Sequence, residues 1–219
     1  MPIKGEIENQ LRGQFDLIIG VDEVGRGCIA GDTCAAAVVI EYDNLNRLDE
    51  KSKNLIRDSK LLSRLQRDKV SLILRNSICQ NFAIESIAAA VIDSIGIQKA
   101  IFLAMRKAVF KILEGRTYHR VVVLVDGNLK IPDLTHESCT FDQRAIVKGD
   151  QLCYAIAAAS ILAKVTRDQT MHEAAKIYPL FGFENHMGYG TKQHLKALSD
   201  FGLTPLHRKS FAPVACYLN

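Results

Sequence analysis

The apolar run Leu17-Ile18-Ile19-Gly20-Val21 stops on two acids, Asp22 and Glu23, and the run Val121-Val122-Val123-Leu124-Val125 stops on Asp126. Short continuous apolar runs of this kind predict strands buried on both faces. They are expected over residues 16–21 and 121–125. Small and β-branched residues predict another strand over 34–40, and 82–90 reads as a further one. A weaker strand near 144–147 gives way to Lys148-Gly149-Asp150. Helical spacing is clearest at Ile97, Ile101, Ala104, Met105, Ala108, Val109 and Ile112, with Lys99, Arg106, Lys107 and Lys111 on the other face. Ser63 with Gln66 three residues on is a capping box, opening a helix to about residue 76. An alanine-rich helix runs through Tyr154, Ala157, Ala158, Ser160, Ala163 and Lys164, its small side chains suited to close packing on a sheet. Short helices, one capped by Thr191, and glycine-punctuated loops complete the chain. The order predicts an α/β fold, a mixed sheet flanked by helices with a small helical C-terminal part. No repeat or linker interrupts it, so one domain is expected over 1–219: sheet and helices over about 14–168, the helical part over 169–219.

Composition narrows the function only a little. With 219 residues, 48% of them hydrophobic, the chain can bury a full core. A net charge of +4 permits a nucleic-acid partner without demanding one. Charge distribution says more. Between residues 51 and 75, Lys51, Lys53, Arg57, Lys60, Arg64, Arg67, Lys69 and Arg75 face only Asp58 and Asp68. A phosphate-tracking surface and a solvated helix face fit this stretch equally well. The six cysteines form no disulfide framework, which points to a reducing cytoplasm. No Cys-x-x-Cys pair occurs and His136-x-x-Cys139 lacks a second half, which argues against structural zinc. The first residues have no signal-peptide core, and no apolar stretch reaches membrane-spanning length. A soluble monomer is expected, since no heptad pattern appears.

The acids carry the candidate chemistry. Asp22 and Glu23 end one strand, Asp126 ends another, and Asp150 follows a third and begins a helix. If those strands are neighbours, four carboxylates converge at one sheet edge. Oxygen donors without histidine or thiolate suit Mg²⁺ or Mn²⁺, and two such ions form the clamp used for in-line phosphodiester cleavage. Without cations the cluster would repel itself and raise its own pKa values. Each acid also has a plainer reading. Asp22-Glu23 sit where strand ends face water, Asp126 begins an Asp-Gly turn, and Asp150 sits where a helix cap belongs.

Several ordered motifs add to this. They are Asp22-Glu23-Val24-Gly25-Arg26-Gly27, Asp58-Ser59-Lys60, Val125-Asp126-Gly127, Lys148-Gly149-Asp150, Ala159-Ser160-Ile161-Leu162-Ala163-Lys164, Gly188-Tyr189-Gly190-Thr191 and His207-Arg208-Lys209-Ser210-Phe211. From about residue 17 to 213 the chain closely resembles bacterial ribonuclease HII, the type 2 ribonuclease H. The resemblance implies a ribonuclease H-like fold and metal-dependent endonucleolytic cleavage of RNA in RNA–DNA hybrids. It extends to single ribonucleotides in duplex DNA, leaving a 5′-phosphate and a 3′-hydroxyl, and hence to ribonucleotide and RNA-primer removal in DNA repair and replication. Asp22, Glu23, Asp126 and Asp150 match the family's four metal-binding acids. Gly25, Arg26 and Gly27 match its loop that senses the ribose 2′-hydroxyl, and Tyr189 its tyrosine that stacks on the following deoxyribose. Lys60, Lys148 and Arg208 are expected phosphate contacts; Ser160 and Lys164 are read as packing and surface residues. Leu61 stands where a second lysine is expected, and Gln151 replaces a small residue. The short lead before the first strand, and Tyr189 in its glycine loop, point to ribonuclease HII rather than HIII, a sister type with an added N-terminal substrate-binding domain.

Overall fold

The computed structural model describes residues 3–218. Five strands, β1 (Leu17–Val24), β2 (Thr33–Ile40), β3 (Cys79–Ile87), β4 (Arg120–Asp126) and β5 (Thr140–Ile146), form one mixed sheet in the order β3-β2-β1-β4-β5. Pairing is antiparallel from β3 to β1 and parallel from β1 to β5. Helix α1 (Glu6–Leu11) precedes β1. Helices α2 (Tyr42–Arg47), α3 (Glu50–Lys53) and α4 (Arg64–Ile73) lie between β2 and β3. Helices α5 (Ala89–Ile95) and α6 (Ile97–Leu113) lead into β4. After β5 come α7 (Tyr154–Ile177), α8 (Phe183–His186), α9 (Lys192–Phe201) and α10 (Ala212–Ala215).

Two helices cover the sheet, which is why β2 is buried at every position. The apolar stripe of α6 packs on Ile19, Val21, Ala35, Ala37, Val123 and Val125. On the other face Ala155, Ala157, Ala158, Ile161 and Leu162 of α7 pack on Ala36, Val38 and Ile40. Each fully buried Ile or Val contributes about 2 kcal/mol, so this double layer holds the fold. Gly20 lets α7 lie directly on β1: a Cβ there would stand 2.2 Å from the Ala155 carbonyl carbon and 2.5 Å from the Ile156 nitrogen. A smaller core of Ile29, Ala30, Met171, Phe181, Phe183 and Leu198 fastens the C-terminal helices to the chain just after β1.

Several boundaries differ from expectation for physical reasons. β1 continues past residue 21 because its ladder with β2 carries on through Asp22↔Ala36 and Glu23↔Ala35. β3 lies three residues earlier than 82–90, because its register is set by β2 and Ala89 already opens α5. β5 begins at Thr140, a polar edge strand whose extent follows pairing with β4 rather than its own pattern. The short helices α1, α2, α3 and α5 leave no periodic signal. α7 runs on to Ile177, so the expected division after residue 168 falls inside one helix. Among the described residues no helix is long and apolar enough to cross a membrane. All six cysteines are free.

Candidate active site

The ladder between β1 and β4 ends at Val21↔Val125. Asp22 and Glu23 therefore stand where β1 has lost its parallel neighbour, with small Ala36 and Ala35 opposite them, and Asp126 closes β4 alongside. The Asp126 carboxylate accepts the Gly149 N–H at 2.7 Å, drawing the turn Gly149–Gln151, and Asp150 with it, to the same edge. The approach is close: a Cβ on Gly149 would stand 2.5 Å from Ile156 Cδ1 and 3.2 Å from Asp126 Oδ1. Lys148, left-handed at φ 58°, turns the chain from β5 into this approach. Asp150 is not the cap of α7: that position is Cys153, and Glu8 of α1 accepts the Ala155 N–H at 3.2 Å.

Burial and mutual repulsion shape the charges. Burial first, then the charges of Glu23 and Asp126, hold the Asp22 carboxyl well above the usual range; Ser160 and the Glu23 N–H partly offset this. Burial also raises Glu23, with Arg26 opposing and Asp126 adding. Asp150 is pushed up to about 6 by burial, then by Asp58 and Asp126. Asp126 is thus the neighbour that the other three acids share. Arg26 reaches Glu23 at 3.9 Å, but among the described residues no ion pair engages Asp22, Asp126 or Asp150.

A donor set of oxygens with uncompensated charge fits a hard divalent cation. Among the described residues no three acids, histidines or cysteines close around one point as a ready-made cage. Pairing through Asp126 is what Mg²⁺ needs, because it is ordinarily held by one or two carboxylates, with water and phosphate oxygens in the remaining positions. The residues present therefore fit the ion.

The loop after β1 is clamped from below. Gly25 has φ 91°, and a Cβ there would meet Arg167 Nε at 2.4 Å. Arg167 donates to the carbonyls of Asp32, Met187 and Ala30 at 2.9, 2.8 and 3.1 Å. Arg208 donates to those of Gly31 at 2.9 Å and Arg26 at 3.3 Å. Arg208 is 0% exposed, which corrects the expectation of a phosphate contact: its guanidinium is enclosed and holds the loop. Arg26 is exposed and donates to Gln98. Gly27 is open, with only the Tyr189 ring at 4.0 Å from where a Cβ would be. Tyr189 is 44% exposed and bridges backbone-to-backbone with Cys28.

Lys60 is exposed, and its charge reaches Glu23 and Asp150; Lys148 is exposed too. Two contributors escaped the sequence reading. Asp58 accepts the Lys60 N–H at 2.9 Å and lies against Asp150. Ser160 stands beside Asp22, its hydroxyl 3.0 Å from that of Ser59. A hydroxyl on the sheet-facing side of an alanine-rich helix was the available signal for Ser160. The cleft between Arg26, Gln98, Phe102 and Asp126 holds only about 100 Å³, below the range of roughly 300–1,000 Å³ for small-molecule pockets. A ligand of these acids therefore lies across the surface.

A family model described as Ribonuclease HII matches residues 19–214. A ribonuclease HII from Caldicellulosiruptor bescii is 44% identical over 208 residues, covering 94% of this chain and 92% of that one. Among solved structures, ribonuclease H2 from Pyrococcus horikoshii OT3 has TM-score 0.71 at 22% identity, covering 91% of this chain and 96% of that one. Bst-RNase HIII in complex with Mn²⁺ has TM-score 0.68 at 16% identity, covering 92% and 69%. At such identities both speak to the fold, a ribonuclease H-like mixed sheet flanked by helices.

Proposed function

The chain belongs to the ribonuclease HII family and is a ribonuclease H, and from that premise we propose that it nicks duplex DNA 5′ to embedded ribonucleotides as well as cleaving the RNA strand of hybrids. The products carry a 5′-phosphate and a 3′-hydroxyl. Its roles are the removal of ribonucleotides and RNA primers in the cytoplasm, by an endonuclease acting as a monomer. The observation that carries this reading is that Asp22, Glu23 and Asp150 all feel the charge of Asp126, one loop away from the open backbone of Gly27.

Asp22, Glu23, Asp126 and Asp150 would hold two Mg²⁺ or Mn²⁺ ions, with Asp22 and Asp126 the chief ligands of one. Ions bound there supply the positive charge that promotes attack by water on the phosphorus and stabilises the departing 3′-oxygen. Gly149 and Ser160 orient the carboxylates of Asp126 and Asp22. Gly25 and Gly27 let the loop backbone approach the ribose 2′-hydroxyl, the group that separates RNA from DNA. Arg26 completes that loop from its exposed position. The Tyr189 ring stacks on the deoxyribose after the ribonucleotide, favouring an RNA-to-DNA junction. Lys60 and Lys148 contact phosphates on either side of the acids.

The test is a labelled DNA duplex with one ribonucleotide, beside an all-DNA duplex and a long hybrid, in Mg²⁺, Mn²⁺ or chelator. Nicking 5′ to the ribonucleotide that needs added cation is the expected result. Cleavage of the all-DNA duplex at a similar rate would overturn the ribose-sensing part.

A further inference from the structure

Three buried histidines lie under the Tyr189 loop, and none belongs to the acid cluster. His186 and His194 stack with ring centroids 4.3 Å apart, and His194 Nε2 lies 3.0 Å from His207 Nε2. Two ring nitrogens at that distance must be one donor and one acceptor. Their other partners decide which is which.

His194 Nδ1 lies 2.9 Å from the Tyr189 carbonyl oxygen. A carbonyl only accepts, so His194 carries its hydrogen on Nδ1 and its Nε2 is the acceptor. His207 must then donate from Nε2, leaving Nδ1 bare. That nitrogen receives the Thr204 N–H at 2.8 Å, as the assignment requires. The chain of hydrogen bonds therefore has one direction: Thr204 N–H to His207, His207 to His194, His194 to the Tyr189 carbonyl. His186 accepts the Gly188 N–H on Nδ1 at 3.3 Å and so donates from Nε2 to the Phe181 carbonyl at 2.9 Å. Burial lowers His194 and His207 to about 4, so both rings are neutral at working pH. The rings of Phe181 and Phe183 stand 5.4 Å from His207 and His194, giving an apolar setting in which hydrogen bonds are strong and losing one is costly.

We propose that His207 and His194 are positioning residues for Tyr189, a directional relay that fixes the backbone beneath its exposed ring and so sets the preference for a lone ribonucleotide in DNA. The relay rests on reading Tyr189 as a substrate contact. Gly188 and Gly190 flank the tyrosine, and glycines widen the range of backbone conformations that the bonds around Tyr189 must select from. The loop's other anchors are backbone bonds: Ile29 and Ala30 to the Gly188 carbonyl, the Tyr189 N–H to the His186 carbonyl at 2.9 Å, the Thr191 N–H to the Tyr189 carbonyl at 2.8 Å, and the bridge to Cys28; His194 adds a side-chain donor from the core to that same Tyr189 carbonyl. The backbone at His207 itself bridges to Ala30, so the relay joins the loop that carries Gly27 to the loop that carries Tyr189.

The first measurement is on the unmutated protein. Nitrogen-15 histidine spectra should show His194 as the Nδ1–H tautomer and His207 and His186 as Nε2–H; His194 as Nε2–H overturns the relay. The second compares kcat/KM on a single-ribonucleotide duplex and on a long hybrid. His207→Leu should lower the single-ribonucleotide value about fivefold more than the hybrid value, the equivalent of one neutral hydrogen bond. His207→Gln, which keeps an N–H donor towards His194, should restore most of that ratio. In a Tyr189→Ala background His207→Leu should no longer change it. Equal losses on both substrates, or no rescue by glutamine, overturn the relay. The two failures look different. A normal ratio in Tyr189→Ala removes the substrate contact itself, and with it anything to position. A changed ratio there with a normal one in His207→Leu removes the relay alone.

Discussion

Replacing Asp126 with asparagine should stabilise the cation-free protein while abolishing its activity. Asparagine keeps an oxygen for the Gly149 N–H that Asp126 accepts at 2.7 Å, so the turn carrying Asp150 stays in place. What disappears is a negative charge beside Asp22, Glu23 and Asp150. Asp150 is pushed from 3.8 to about 6, and two such units correspond to about 3 kcal/mol. Burial and Asp58 come first among the causes, so the Asp126 share is about 1 kcal/mol or less. Relief of Asp22 and Glu23 adds to it, and loss of charge assistance in the Gly149 bond subtracts about 1 kcal/mol. The Asp150 share and the weakened bond roughly cancel, so the net gain is the relief of Asp22 and Glu23, read as a rise in Tm at about 2–4 °C per kcal/mol for a chain of this length.

The sign also fixes the pH dependence. Asp150 has a raised pKa in the fold, so its ionisation opposes folding. That penalty is complete above about 6 and vanishes as pH falls towards 3.8, where the unfolded chain is protonated too. Cation-free wild type should therefore gain stability as pH drops from 7.5 to 5, and the advantage of Asp126→Asn should shrink over the same interval. Thermal melts in chelator at both pH values read this directly, and cleavage with Mg²⁺ reads the activity. A variant less stable than wild type at pH 7.5, or an advantage independent of pH, would refute the repulsion argument. Near-normal turnover would remove Asp126 from the site.

Gly20→Ala should destabilise the fold by about 3 kcal/mol or more, because its Cβ meets the α7 backbone at 2.2 Å and a helix must shift; an unchanged urea midpoint would contradict that packing. Tyr189→Ala should impair cleavage at a lone ribonucleotide more than cleavage of a long hybrid, and parallel losses would end its junction role. Lys60→Ala should weaken hybrid binding and lower the slope of log affinity against log salt by about one. Arg208→Lys should leave that slope alone and cost about 1–3 kcal/mol of stability, since lysine cannot serve the carbonyls of Gly31 and Arg26 together. A changed slope in Arg208→Lys would restore the phosphate contact.

Strand cores and the stripe of α6 were legible because their periodicity is written in side-chain type, and burial then follows it. The edges were not. β5 is polar and takes its extent from β4, while the length of β1 depends on having two neighbours that stop at different residues. For the acids, residue type and strand-end position sufficed to nominate Asp22, Glu23 and Asp126, since the chemistry lies in the carboxylates and the placement in the runs before them. Asp58 and Ser160 enter through contacts between distant segments; a hydroxyl on the sheet-facing side of α7 flags Ser160 locally, but its nearness to Asp22 and Ser59 is set by the fold.

Arg208 and Asp150 show where residue type misleads. An arginine beside a lysine in a basic segment reads as a phosphate contact, yet its role is decided by enclosure, and enclosure comes from the C-terminal helices folding over the loop after β1. Asp150 poses the opposite case. Its position just before a helix suits a cap, and a carboxylate at a helix N-terminus is ordinarily stabilised by the helix dipole and the free N–H groups. Here Glu8 reaches across from α1 to accept one of those N–H groups, buried and with its own carboxyl raised by desolvation. With α7 served from outside, Asp150 is left buried at the sheet edge beside Asp58 and Asp126, and burial first, then those like charges, make its pKa rise instead of fall. An acid held in an unfavourable place, while a remote residue does the structural work nearby, is not accounted for by stability, and it is what the proposed cation site at this sheet edge would require.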